Sequence, residues 1–103
     1  MFTVIKKQTR PNKETLFYTE KYPTVEKYNM YFHEKYIKTG KFIKSEKHMT
    51  DDGLTMIGTT VWQSHLIFLE FVTDDVCYNN VIEPSNAYNK SNDIETEFSI
   101  IEE

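Results

Sequence analysis

The stretch HMTDDGLTMIGTTVW, from His48 to Trp62, decides the fold. Two β-prone segments flank Asp51-Asp52-Gly53, and aspartate and glycine tolerate the backbone angles of a tight hairpin turn. The β-branched residues after the glycine suit a pleated sheet surface. We therefore predict a β-hairpin with strands over 41–50 and 54–63, around which the other elements pack.

The sequence leaves the register of this hairpin open. In both registers Met56, Gly58, Thr60 and Trp62 share one face of the second strand. A two-residue turn at Asp52-Gly53 would add Met49, Lys47, Ser45 and Ile43 to that face. A three-residue turn with a left-handed Gly53 would add His48, Glu46, Lys44 and Phe42 instead. His48 therefore shares the face of Trp62 in one register only.

A helix is predicted from Pro23-Thr24 to about Thr39, with Gly40 as its C-terminal stop. Its charged residues lie on one side and its aromatic residues on the other, which is typical of a helix that packs on a core. The buried arc contains Val25, Tyr28, Asn29, Phe32 and Tyr36.

The segments at the two ends of the chain give weaker patterns. Alternation over 2–10 indicates a first strand that ends at Pro11-Asn12, and 15–19 is β-prone enough for extended chain or a short edge strand. Ser64 is a good N-cap for a helix with a break near 73–75 and a second helical stretch to about Lys90. Residues 94–100 alternate as a final half-exposed strand.

Composition restricts the class of protein. A chain of 103 residues fits one domain over 1–103. The net charge is −4 and the basic residues are scattered, which argues against nucleic acid as a partner. No apolar run is long enough to span a membrane. The single cysteine, Cys77, fits a reducing compartment and reads as a buried, inert thiol, so we expect a cytoplasmic protein.

The element order is strand, helix, strand, strand, helix, strand. This order predicts an α+β fold of the ferredoxin-like βαββαβ type, an antiparallel sheet with both helices on one face. The other face carries the half-apolar set Ile5, Ile57, Thr59 and Val61. Two such sheets packed face to face would bury this set, so the chain itself is a predicted partner in a homodimer.

The segments 51–55 and 59–64, with 86–89 downstream, resemble the dimeric α/β-barrel superfamily, which includes the antibiotic-biosynthesis-monooxygenase-like proteins. The resemblance implies a homodimer whose two sheets form a barrel, and a pocket between sheet and helices. Oxygenase members act on aromatic substrates without metal or flavin. Their strand tryptophan corresponds to Trp62. They often carry an asparagine four residues earlier, where Gly58 here removes the polar group.

The candidate ligand site lies around the single tryptophan, since small residues beside it leave room next to the indole. No cofactor is predicted: the histidines lack zinc-type spacing, the Asp51-Asp52-Gly53 turn lacks the spaced ligands of a calcium loop, and no haem-ligating motif can be placed. The alternative is that these aromatic residues only fill the core. The candidate ligand-binding residues are Met56, Gly58, Thr60, Trp62, Tyr28, Phe32, His48 and Tyr88.

Three functions are compatible with this sequence. The first is a small homodimeric protein that binds an apolar or aromatic molecule between sheet and helices. The second is a cofactor-independent monooxygenase-like enzyme for an aromatic substrate, which fold-level analogy suggests. The third is a structural or regulatory dimer without a ligand. Free space beside Gly58 would favour the first two, and a filled interior would favour the third.

Overall fold

A computed structural model describes residues 1–102. Its β-strands are β1 (Phe2–Thr9), β2 (Phe42–Met49), β3 (Thr55–Trp62) and β4 (Glu95–Glu102). Its α-helices are α1 (Tyr18–Lys21), α2 (Glu26–Phe32), α3 (His65–Thr73), α4 (Asp75–Cys77) and α5 (Glu83–Ser91). Two π-helical turns extend α2 and α4, over His33–Ile37 and Tyr78–Ile82.

The four strands form one antiparallel sheet in the order β2-β3-β1-β4. The long helices pack on one face of this sheet, through ring contacts of α2 and α3 with Trp62. This is the ferredoxin-like arrangement, so the predicted α+β fold is confirmed. No helix within residues 1–102 is long and apolar enough to cross a membrane.

The hairpin pairs in the register of the two-residue turn, with Met49 opposite Met56 and His48 opposite Ile57. The loop itself is longer, because the amide of Thr50 donates to the carbonyl of Thr55 (2.9 Å) and residues 51–54 close the turn. His48 consequently lies on the face opposite Trp62.

A β-bulge in β2 modifies this register near the open end of the hairpin. The register shifts between Phe42 and Lys44, so Phe42 lies opposite Trp62 and Ile43 leaves the ladder. A bulge adds one residue to one strand and reverses which side chains point inward beyond it. The bulge thereby exchanges an isoleucine for an aromatic ring beside the indole.

Four cross-strand rows line the helix-facing side of the sheet, and successive rows are about 7 Å apart. The first row contains Phe42, Trp62 and Phe2, and the second contains Ser45, Thr60, Val4 and Ile100. The third, called the lysine row below, contains Lys47, Gly58, Lys6 and Phe98. The fourth contains Met49, Met56, Gln8 and Thr96.

Two helix ends form as the sequence predicts. Gly40 has a positive φ of 77° just past the π-helical turn, as expected of a C-terminal stop. The Ser64 side chain accepts a hydrogen bond from the amide of Ile67 (3.3 Å) and caps α3.

Residues 15–19 differ from the prediction of extended chain or an edge strand. Phe17 is buried, and its amide donates to the Glu20 side chain (3.0 Å), which starts the short helix α1. A local side-chain bond therefore prevails over β-propensity at this position.

Candidate functional site

The interior around Trp62 is filled with aromatic rings. The tryptophan is 2% exposed, and its indole nitrogen donates to the Thr60 hydroxyl at 2.9 Å. Ring centroids lie 4.7–6.4 Å from it, distances at which aromatic pairs stabilise each other beyond simple burial. These rings belong to Phe32, Tyr36, Phe42, Phe68 and Phe71.

Space opens at Gly58, two rows from the tryptophan. A Cβ atom placed on Gly58 would meet only one heavy atom of the described chain within 4 Å, the main-chain oxygen of Lys6 at 3.9 Å. Lys6 and Lys47 flank this glycine as its cross-strand partners. Gly58 is therefore a gap between two lysines on the helix-facing side of the sheet.

Lys6 is the unusual charge of this region. It is half-buried. Burial, and to a smaller extent the positive charge of Lys47, lowers the pKa of its ammonium group. Its Nζ lies 5.9 Å from the centroid of the Phe98 ring. Within residues 1–102 Lys6 forms no ion pair with a carboxylate. A partly desolvated cation without a counter-ion is an attractive position for an anionic group.

Asn89 of α5 covers the fourth row, next to the lysine row. It is 4% exposed, and its Nδ2 donates to Gln8 Oε1 (3.1 Å) and Thr96 Oγ1 (3.5 Å). Its Oδ1 is buried without a hydrogen-bond partner in the described chain. Exchanging the amide oxygen and nitrogen would only make Nδ2 the open atom. A buried polar atom of this kind costs about 1–3 kcal/mol until something binds it.

A second polar cluster, among the helices, surrounds Asp74, and both carboxylate oxygens of this residue accept hydrogen bonds. Asp74 Oδ2 accepts from Lys35 Nζ (2.6 Å), Tyr31 Oη (2.7 Å) and Tyr36 Oη (2.9 Å). Its Oδ1 accepts from the amides of Val76 and Cys77 at the start of α4. Burial alone would raise the pKa of Asp74. The hydrogen bonds from Lys35 and the two tyrosines lower it by more, so the net shift is downward. This cluster is a structural clamp between helices.

No protein-family model matches the sequence, and no curated protein matches it. Solved structures do match. SnoaB, a cofactor-independent oxygenase from Streptomyces nogalater, is 12% identical over 99% of this chain and 91% of its own, with a TM-score of 0.62. A dimeric ferredoxin-like protein from an uncultured marine organism is 8% identical over 97% and 92%, with a TM-score of 0.55.

A third similar structure contains a ligand. It is a monooxygenase from the gene ActVA-Orf6 of Streptomyces coelicolor, in complex with nanaomycin D. It is 13% identical over 99% of this chain and 88% of its own, with a TM-score of 0.51. The chain shares the fold of these structures. A shared fold does not imply a shared activity.

The fold brings some candidate residues together and separates others. Trp62, Thr60, Gly58 and Met56 share the helix-facing side of β3, and Phe32 packs against the tryptophan. Tyr28 is buried beside Phe32, with ring centroids 6.2 Å apart, and burial raises the pKa of its phenol.

Two candidate residues lie away from this group. His48 is on the other face of the sheet, opposite Ile57. Tyr88 faces α1, where its hydroxyl donates to the carbonyl of Leu16 at 2.5 Å. Cys77 is fully buried, and burial raises the pKa of its thiol, in line with an inert cysteine.

Sequence analysis missed Lys6 and Gln8. Their signal is the alternation of β1, which places them on the same face as Phe2 and Val4. Asn89 lies in the segment 86–89 that the sequence analysis singled out, but its role depends on which row of the sheet α5 crosses. Within residues 1–102 no group of three or more His, Cys, Asp or Glu side chains is arranged to hold a metal ion.

Proposed function

We propose that this protein binds a small aromatic molecule with an acidic or hydrogen-bonding substituent between sheet and helices, beside Gly58. The observation that carries the proposal is the buried Asn89 oxygen without a hydrogen-bond partner. Buried polar groups are nearly always paired, so an open one over the row next to that of Gly58 suits a ligand. Lys6, in the adjacent row, adds a positive charge without a counter-ion.

The surroundings of Lys6 set the chemistry of this ligand. The Phe98 ring is its cross-strand neighbour, and 61% of this side chain is exposed. An aromatic ring laid over Gly58 would cover part of Phe98 and bring a phenolate or carboxylate to the Lys6 ammonium. The indole of Trp62 is already packed by other rings, so the ligand lies two rows away from it.

We further propose that the functional unit is a homodimer. The sheet face away from the helices carries Ile5, Ile57 and Thr59, which are half-buried within one chain, and Ile101, which is 48% exposed. A similar structure is described as a dimeric ferredoxin-like protein. Face-to-face packing of two sheets would remove this half-apolar surface from water.

A second candidate function is oxygenation of the bound molecule without a cofactor. SnoaB, of similar fold, is a cofactor-independent oxygenase. In this chain the observation that favours such chemistry is Lys6, since burial and Lys47 lower its pKa. A lysine of lowered pKa is more readily neutral, so its amine can accept the proton of a phenol and then pair with the phenolate, the electron-rich form that reacts with dioxygen.

The test is a calorimetric titration with 2-naphthol as the probe. We expect saturable binding that Gly58→Leu weakens roughly tenfold by filling the gap and that Lys6→Gln weakens several-fold by removing the charge. Lys27→Gln is the control, because Lys27 is an exposed lysine of α2 that lies outside both the lysine row and the opposite face of the sheet.

Binding that persists unchanged in Gly58→Leu would place the ligand elsewhere and overturn the proposal, provided circular dichroism shows the variant to be folded. Oxygen uptake in air by the complex of unaltered protein and 2-naphthol, lost in Lys6→Gln, would identify the enzyme. Saturable binding without oxygen uptake would identify a binding protein.

A further inference from the structure

A separate groove lies between α1 and α5, on the side of α5 that faces away from the sheet. Its volume is about 510 Å³, within the range of small-molecule pockets. Two consecutive residues of α5 face different regions: Asn89 covers the sheet, and Tyr88 lines the groove. The residues that line it and enter the argument are Tyr18, Lys21, Tyr22, Tyr88 and Ser91.

Three tyrosine rings form its aromatic wall. Tyr88 meets Tyr18 and Tyr22 edge-to-face, with centroids 5.7 Å and 5.9 Å away. Tyr18 and Tyr22 lie 5.4 Å from each other. Tyr22 is 49% exposed, so much of its ring remains open to a ligand. Tyr18 and Tyr22 also line a second cavity of about 270 Å³, so α1 borders two cavities.

Lys21 places a positive charge at this wall. Its Nζ lies 5.6 Å from the centroid of Tyr22 and 5.8 Å from that of Tyr88, over both rings. Among residues 1–102 it forms no ion pair with a carboxylate. Its side chain therefore combines a cation–π position with a charge that lines the groove and has no carboxylate partner there.

The simplest explanation of the aromatic cluster is that it attaches α1, a helix of four residues, to α5. The hydrogen bond from the Tyr88 hydroxyl to the Leu16 carbonyl and the ring contacts are sufficient for that. Attachment does not require a lysine over the rings, nor the open volume beside them. These two features are what a ligand with a flat ring and a negative charge would use.

We propose that this groove binds a small aromatic carboxylate. The ring of the ligand packs on Tyr18 and Tyr22, and its carboxylate pairs with the Lys21 ammonium at the groove wall. Ser91 lines the same groove, and a serine hydroxyl can donate a second hydrogen bond to the carboxylate. The site is distinct from the one beside Gly58, so the two proposals stand or fall separately.

The experiment is a titration of the unaltered protein with 2-naphthoate, followed by calorimetry, with 2-naphthamide as the neutral probe of the same shape. We expect 2-naphthoate to bind and Lys21→Gln to weaken it roughly tenfold, the loss expected for one charge-assisted contact. Lys21→Arg should retain binding. Lys27→Gln, at an exposed lysine outside the groove, should bind like the unaltered protein.

Two further measurements locate the site. Tyr22→Ala should weaken 2-naphthoate with little loss of stability, since half of that ring is exposed. The titrations are repeated in Gly58→Leu, in which the gap beside Lys6 is filled; there 2-naphthoate should still bind, and Lys21→Gln should still weaken it. Equal binding of 2-naphthoate and 2-naphthamide in that background, equal affinity after Lys21→Gln, or the absence of saturable binding would each overturn the proposal.

Discussion

Asp74 joins two helical segments that are far apart in the chain. Its carboxylate is 3% exposed and binds Tyr31, Lys35 and Tyr36 from the α2 side, while it also caps α4. Asp74→Asn keeps an oxygen for the cap and removes the charge that Lys35 needs. We expect a loss of about 3 kcal/mol in the free energy of unfolding, as for a buried pair that loses one partner.

Urea denaturation at pH 7 measures this loss. Asp75→Asn is the matched control, because the adjacent aspartate is exposed and makes no side-chain ion pair in the described chain. A change below about 0.5 kcal/mol in Asp74→Asn, the size of an ordinary surface effect, would contradict the clamp.

The same residue predicts a pH dependence. The native pKa of Asp74 lies below the value of an unfolded chain, about 3.9, so its contribution is complete above that value and is lost as the pH falls toward the native pKa. Unfolding midpoints between pH 7 and pH 3 should therefore fall more steeply in the unaltered protein than in Asp74→Asn. Parallel curves would mean that the carboxylate titrates as it does in the unfolded chain.

Single residues differ in how well the sequence predicts them. Trp62 is identified at once, because it ends a strand and is the only tryptophan. Lys6 and Asn89 are not, since a lysine on a strand and an asparagine on a helix are ordinary surface residues by composition. Their importance arises from what the fold places next to them, a glycine gap and an unpartnered amide.

At the scale of the strand, Gly58 weakens β3 and keeps a gap open. Glycine in a strand interior gives no side chain to pack and loses more chain entropy on folding than other residues. A Cβ at this position meets only ordinary van der Waals contact, so Gly58→Ala should stabilise the protein by about 0.5–1 kcal/mol. The same variant should bind 2-naphthol more weakly, because the methyl group occupies part of the gap.

Gly40→Ala is the matched comparison. Gly40 has φ of +77°, a conformation that an L-residue adopts only at a cost, so the same substitution should destabilise by about 1 kcal/mol. Thermal or urea unfolding of both variants measures whether each substitution raises or lowers the free energy of unfolding. Destabilisation by Gly58→Ala would show that β3 needs glycine for its backbone and that the gap is incidental.

The elements predicted best are those with local signals. The hairpin follows from its acidic-glycine turn, and α3 begins where Ser64 caps it. The register was open because both turns fit the sequence. In the structure the bulge near Ile43 brings Phe42 to Trp62. Predicting this bulge would require knowledge of the aromatic core. The π-helical turns carry no sequence signal, since they arise where helices adjust to their neighbours.

At the scale of the whole molecule, the two faces of the sheet have different tasks. The helix-facing side changes along the strands from an aromatic core at Trp62 to the lysine row at Gly58. The opposite side alternates apolar and polar residues. The element order was enough to predict this division, but not where on the helix-facing side the packing ends and the open space begins.

The opposite side of the sheet predicts the oligomeric state. Ile5 and Ile57 on this side are only half-buried in one chain of 12.3 kDa, and Ile101 is 48% exposed, so we expect light scattering at micromolar concentration to give about twice that mass. Ile57→Glu should shift the mass toward one chain, since it puts a charge in the centre of the proposed interface. Leu66→Glu is the control, because Leu66 is 77% exposed on α3, away from that face. A mass of one chain for the unaltered protein, or dissociation by Leu66→Glu alone, would refute packing through the sheet.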